Sequence, residues 1–408
     1  MRSVHADTVV SVMKYNTCSE MVCLEVGMRT AVIGVGMMGS RYANMLLEGK
    51  INGMELCALT RVKEEFRKKL PDDFPVYQSA DALFDAIEAG KVKIDAVIIA
   101  TPHYSHEAIA LRAFRNHIHV LCDKPAGVYS RQAVNMEAAA EQYHCSYGMI
   151  FHQRTFPVYR KLHDLVQSGI YGQMKRVSWT VTDWYRTQAY YNAGSWRATW
   201  DGEGGGLLIN QAPHNLDLLQ WICGMPERIH AFCHEGKYHD IEVEDDVTMY
   251  MEWASGATGT FISSTGEVPG INRLEIMLED AKIICENGVL KIGELTQELG
   301  MRESEYRMTS PIAFARVSGI WKTLEFEKPA DPYQTVLQAF ADEINGSGKN
   351  IVPGFEGRNS LLIANAAYLS AWTDQTVRLP EKNTEEEREF ERQFEALLEQ
   401  KRKAGKKS

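Results

Sequence analysis

Residues 29–39 read Arg29-Thr-Ala-Val-Ile-Gly34-Val-Gly36-Met37-Met38-Gly39. A short apolar run enters three glycines spaced GxGxxG, and the segment 37–48 continues with helical character. Each glycine has its own physical reason. Gly34 permits a tight turn, Gly36 lets the backbone approach a pyrophosphate, and Gly39 lets helix and strand pack closely. A helix opening at Met37 and Met38 directs unpaired N–H groups and positive partial charge at the phosphates. Outward from this stretch, β-rich runs at 55–60, 74–77, 94–100, 118–122 and 147–150 alternate with helical segments at 62–70, 79–90, 104–115 and 130–143. Ser79 and Ser130 stand as N-caps for the second and the last of these segments. Near-continuous apolar strands separated by amphipathic helices predict a parallel sheet covered on both faces, a doubly wound Rossmann domain over 28–151.

The pattern changes after 151. Residues 174–185 alternate in period two, and further strands are predicted at 228–234, 246–253, 257–264, 273–279, 281–285 and 289–292, with no helices between most of them. Asn287-Gly288 between two β runs is a hairpin signal. With helices at 155–168, 214–222, 332–345 and 355–372, this predicts an α+β domain over 152–380 built on a large, open, mostly antiparallel sheet. Two domains suit 408 residues. Residues 381–408 read as a charged helix or tail, and residues 1–27 as an extension that carries no chemistry and has no signal-peptide pattern.

Composition narrows the function classes. The net charge is −10 and no face is strongly basic, which argues against a nucleic-acid partner. Lys401, Arg402, Lys403, Lys406 and Lys407 read as a solvated tail. No apolar run reaches membrane-spanning length, so no membrane role is expected. Eight cysteines without a CxxC pair suit a reducing cytoplasm. His230, Cys233, His234, His239 and Asp240 lack an established zinc spacing, and no metal is expected.

Strand ends carry the chemistry in a doubly wound sheet. After the second strand stands Thr60-Arg61, where an acid would bind a ribose 2′-OH. A guanidinium there suits a 2′-phosphate, which favours NADP over NAD. After the fourth stands Thr101-Pro102-His103, whose backbone should line the nicotinamide ribose. His103 either faces the cofactor or simply begins a helix. After the fifth comes Cys122-Asp123-Lys124-Pro125, which aims Lys124 at the nicotinamide end. A second anchor runs Gly204-Gly205-Gly206-Leu-Leu-Ile-Asn210-Gln-Ala-Pro213-His214-Asn-Leu-Asp217, with His214 in the first turn of a helix started by Pro213. Arg154, at the domain junction, either binds cofactor phosphate or substrate hydroxyls or forms a structural pair. Between the two anchors, Trp184, Tyr185, Arg186, Tyr190, Tyr191, Trp196, Arg197 and Trp200 form an aromatic and arginine-rich loop. Such faces stack on sugar rings, and a carbohydrate-binding wall is expected, with a core or interface cluster as the alternative.

These separated motifs, together with His106 and the Asp123–Pro125 triplet, resemble the Gfo/Idh/MocA family, named for glucose–fructose oxidoreductase, inositol dehydrogenase and a rhizopine-catabolism protein. The resemblance covers about residues 29–380. It implies a nicotinamide-dependent oxidoreductase that moves a hydride to or from a secondary alcohol carbon of a sugar, glycoside (at C3, for instance) or inositol. It also implies that Lys124 and His214 flank the reacting carbon, and that the chain assembles as a homo-oligomer, a dimer or tetramer, through the open sheet. Two positions depart from the pattern: Asp123 replaces the commoner Glu, and Asn210 stands where inositol dehydrogenases often carry Asp. Asn can hydrogen-bond substrate but cannot act as a base, which leaves proton transfer to Lys124 and His214. An NAD-dependent glycosidase working by transient oxidation, or a nucleotide-sensing regulator without turnover, are the competing readings.

Overall fold

The computed structural model describes residues 27–405. The extension up to residue 26 and the tail lysines Lys406 and Lys407 lie outside the described residues. Six strands form the first sheet: β1 (Met28–Ile33), β2 (Met54–Thr60), β3 (Val76–Tyr77), β4 (Ala96–Ile99), β5 (His119–Asp123) and β6 (Tyr147–Ile150). They run in the order β3-β2-β1-β4-β5-β6, every pair parallel. The order reverses between β1 and β4, so the carboxyl ends of these strands diverge and open a crevice. The central strands are apolar throughout because both faces are covered: Ala31, Val32, Ile33 and all of β4 are fully buried.

Nine strands form the second sheet: β7 (Met174–Val181), β8 (Arg228–Glu235), β9 (Glu244–Glu252), β10 (Thr258–Ser264), β11 (Asn272–Leu278), β12 (Ala281–Glu286), β13 (Val289–Glu294), β14 (Ile320–Leu324) and β15 (Val377–Arg378). Their order is β14-β13-β12-β11-β7-β10-β9-β8-β15. Only the central β7–β10 pair is parallel; the other pairs are antiparallel. The period-two pattern of β7 buries Val177, Trp179 and Val181 on one face, where Trp179 meets its cross-strand neighbour Phe261 edge-on at 6.1 Å. Asn287 (φ 51°) and Gly288 (φ 75°) turn the β12–β13 hairpin through two left-handed residues, as the sequence predicts.

The differences from the sequence reading have local causes. The helix expected at 62–70 is a single turn, Glu64–Arg67. Strand β14 is exposed along most of its length and shows no alternation to read, and β15 has two residues. Ser79 caps its helix by accepting from Ala82 N at 3.1 Å. Ser130 does not cap: its N–H is taken by Asn365 Oδ1 at 3.0 Å, and Gln132 Oε1 accepts the neighbouring N–H groups of Val128 and Tyr129 instead. Of the basic C-terminal residues, Lys401 and Arg402 are docked on the protein, whereas Lys403 stays largely exposed. The helix Glu385–Gly405 buries Phe390, Phe394 and Leu398, which docks Arg402 on Asp201 at 2.7 Å and Lys401 on Glu235 at 2.7 Å. Among the described residues the six cysteines are free, and no helix is long and apolar enough to cross a membrane.

Candidate active site

The end of β5 and the start of the helix Pro213–Cys223 meet over the crevice. Asp123 closes β5, and Lys124 follows it into the space beyond the sheet. Lys124 Nζ donates to the backbone oxygen of Asn210 at 2.7 Å. Asn210 ends a one-turn helix, Leu207–Asn210, and His214 lies in the first turn of the next, which Pro213 opens. Burial lowers the Lys124 amine from its ordinary value; Asp123 and Glu203 pull it back up, and Arg197 pushes it further down. Burial, then His152 and Lys124, hold the His214 imidazole well below its ordinary value, so it is neutral. Its Nδ1 is buried without a partner, and its ring stands 4.4 Å from that of His152. His152 stacks on Tyr333 at 4.1 Å, and burial pushes it down to about 4.

Two carboxylates shape the wall that carries Asn210. Glu244, from the start of β9, accepts the N–H groups of Gly206 and Leu208 at 2.9 and 2.7 Å and the hydroxyl of Tyr368 at 2.7 Å, which fixes the glycine loop ahead of Asn210. Glu203 is only 2% exposed and sits between Ala198 N (2.7 Å) and the Asn210 side-chain amide. Neither carboxylate is singled out by sequence reasoning. Glu203 could have been suspected as the acid directly ahead of the glycine run; Glu244 belongs to another strand and has no local signal.

The other end of the crevice suits a dinucleotide. Gly34 takes φ +92°, and a Cβ there would strike Ala100 O at 2.7 Å. A Cβ on Gly39 would lie 2.0 Å from Gly34 O, so helix and strand touch through these two glycines. A Cβ on Gly36 would meet nothing within 4 Å, so the backbone there faces open space. The helix Met37–Leu47 behind it has no side-chain cap and no acid in its first turn, so its leading N–H groups remain available to an anion. A cavity of about 250 Å³ continues past Thr60, Arg61, Ser79, Thr101, Pro102 and Ser105. Arg61, in the left-handed region (φ 52°), carries an exposed side chain at its rim.

The remaining predicted residues divide. Arg197 lies between the rings of Trp196 (4.6 Å) and Tyr190 (4.8 Å), beside Lys124. Trp196 and Tyr185 are exposed, and Arg186 covers Tyr190 at 5.0 Å. Trp200 and Tyr191, in contrast, are core residues. His103 is buried, with Nδ1 at 2.9 Å from Glu203 O and its pKa pushed down to about 3 by burial. Two expectations need correction. Arg154 does not reach the crevice: it is 1% exposed, and all its donors go to Asp217 and Glu356, because the domain junction closes over it. His106 is likewise buried, with its ring turned onto the protein's own backbone. Its two ring nitrogens lie 2.9 and 2.7 Å from the carbonyls of Pro125 and Thr101, between the turns after β4 and β5; burial lowers its pKa, and the single N–H of a neutral ring donates to one of the two.

Comparison with known proteins identifies the family. Residues 28–151 match the oxidoreductase family with an NAD-binding Rossmann fold, and residues 159–284 match the GFO/IDH/MocA C-terminal domain. The rhizopine catabolism protein MocA of Rhizobium meliloti is 29% identical over 48% of this chain, a match that spans 57% of that protein's length. The myo-inositol 2-dehydrogenase of Thermotoga maritima is 23% identical over 87% of this chain and 99% of its own. The WlbA dehydrogenase of Bordetella pertussis, solved with NADH and UDP-GlcNAcA, shares the fold with a TM-score of 0.70 at 22% identity, over 87% of this chain and 100% of that one. With the glycine turn, the Asp123–Pro125 triplet and the Asn210–His214 helix start gathered at one crevice, and both halves matched by one family's models, the chain belongs to the Gfo/Idh/MocA family of NAD-binding oxidoreductases.

Proposed function

We propose that the chain is an NAD(P)-dependent dehydrogenase, or reductase in the reverse direction, acting on a secondary alcohol carbon of a sugar, glycoside or cyclitol. One observation carries this reading: Lys124, after β5, bonds the backbone oxygen of Asn210, four residues ahead of His214 in the other half of the chain, and burial lowers the pKa of both side chains. When bound, the nicotinamide ring supplies the acceptor or donor of the hydride. Gly34, Gly36 and Gly39 with the N–H groups of Met37 and Met38 would hold the pyrophosphate, and Thr101 and Pro102 the ribose beyond it. The Lys124 amine, anchored by one N–H on Asn210 O, takes the proton from the carbinol oxygen. His214, neutral, hydrogen-bonds the same or the adjacent hydroxyl. Trp196, Arg197, Tyr185 and Arg186 form the wall against which the sugar ring packs. A homo-oligomer built through the sheet face on which Phe232 and Tyr250 stand exposed, in the cytoplasm, completes the reading.

The test is a panel of polyols, hexoses and glycosides incubated with NAD or NADP and followed by the absorbance of the reduced nicotinamide. Appearance of reduced cofactor and a keto product is expected. Release of an aglycone instead would identify an eliminating glycosidase, and no reaction across the panel in either direction would count against the proposal.

The exposed Arg61 side chain favours NADP. Arg61→Ala is expected to weaken NADP binding about tenfold or more, the scale of lost hydrogen bonds to a charged group, while NAD binding stays near its original value. Fluorescence titration with each cofactor measures this, and equal effects on both would assign Arg61 to the adenine face alone.

A further inference from the structure

The proposed reaction gives Glu203 no part, yet its carboxylate is buried beside the reactive groups. Oε2 accepts the N–H of Ala198 at 2.7 Å, and Oε1 accepts the side-chain N–H of Asn210. An ionised carboxylate can only accept hydrogen bonds. The Asn210 amide is therefore held with its nitrogen towards Glu203 and its oxygen turned away. No described residue donates to that oxygen, which is not among the buried atoms lacking partners. The backbone oxygen of the same residue holds Lys124 Nζ. Burial pushes the Glu203 carboxyl up from its ordinary value, and the N–H groups of Ala198 and Asn210, then Arg197 and Lys124, draw it back down.

We propose that Glu203 is a positioning residue that sets the polarity of Asn210, making it a hydrogen-bond acceptor next to the amine. The site then selects a vicinal diol: one hydroxyl is held by Lys124, and a hydroxyl on the neighbouring carbon donates to Asn210 Oδ1. This deepens the polyol-oxidoreductase reading and rests on it. A Glu203 that served only to hold the Ala198 turn would need just its Oε2 contact.

The chemistry of glutamine separates these roles. The substitution Glu203→Gln keeps one acceptor for Ala198 N and turns a donor towards Asn210. Asn210 must then flip its oxygen inward and show its NH₂ to the crevice. Glu203→Gln alone is expected to raise KM for a diol substrate about tenfold, the scale of one misplaced hydrogen bond, with a smaller change in kcat. Asn210→Asp alone sets a second carboxylate against the buried Glu203 and is expected to lower Tm by about 2 °C or more at pH 8 and to raise KM. Combining Glu203→Gln with Asn210→Asp restores one donor facing one acceptor and leaves an oxygen on the crevice. The double variant should recover Tm and KM towards the original values.

Both readouts decide. Recovery of Tm and KM in the double variant supports the proposal. Additive effects of the two substitutions on Tm overturn the pairing, and recovery of Tm without recovery of KM overturns the claim on substrate. The Tm cycle needs no turnover, so it stands even if the original protein oxidises nothing on the panel. That result would sink the oxidoreductase reading instead.

Discussion

Lys124→Met should lower turnover by about 10²–10⁴-fold, the range that a positioned acid or base contributes, while nicotinamide binding changes little. Methionine keeps the length and apolar stem of lysine and removes the amine. The loss follows from what that amine is placed to do. It is anchored on Asn210 O, and burial holds its pKa below that of a free lysine, which raises the neutral fraction at physiological pH. Oxidation of an alcohol requires the neutral amine, so its rate should rise with pH through the depressed pKa. Reduction of the ketone requires the ammonium, so that rate should fall over the same interval. Lys124→Met should abolish both limbs. Initial rates in each direction between pH 5 and 10, with cofactor affinity measured by titration, check the pattern. An unchanged rate would move the proton transfer to His214, and a parallel collapse of cofactor binding would mean that the amine serves the cofactor instead.

The second large effect is on stability. Arg154→Met should cost about 3–5 kcal/mol, the penalty for stranding a buried charge. Arg154 Nε and Nη2 reach Asp217 at 2.8 and 2.5 Å, and Nη1 reaches Glu356 at 2.6 Å. Arg154 and Asp217 are each 1% exposed. Burial raises the Asp217 pKa and Arg154 draws it back down. Without the guanidinium, burial and the Glu356 carboxylate outweigh the Gln220 hydrogen bond, and the folded pKa of Asp217 rises further above its unfolded value. A carboxyl raised in this way weakens the fold once the unfolded chain ionises, so the deficit should be small near pH 4 and grow as pH rises. Urea unfolding of both proteins at two pH values measures it. If Arg154 served the cofactor, the variant would instead lose cofactor affinity and keep its stability.

The same triad shows why the sequence left Arg154 open. Asp217 and Glu356 are 63 and 202 residues away in the chain, and only docking of the Pro213–Cys223 and Gly357–Thr373 helices at the junction brings them to one guanidinium. His106 is a similar case: nothing in its local sequence says that its ring lies between two carbonyls, five and nineteen residues away.

What the amino-acid sequence determined by itself was local in origin. Gly34 and Gly39 set a turn that only residues without a Cβ can make, and hydrophobic period separates a doubly covered parallel sheet from a one-sided antiparallel one. Strand ends then place Lys124, and Pro213 places His214, because backbone geometry acts within a few residues. Tertiary structure alone decided which polar groups meet across the junction: Lys124 with Asn210 O, Glu203 with the Asn210 amide, Arg154 with Asp217. Those pairings follow from burial, which makes an unpaired polar group costly and so favours partners among whatever distant segments packing brings near, and no local pattern encodes that choice.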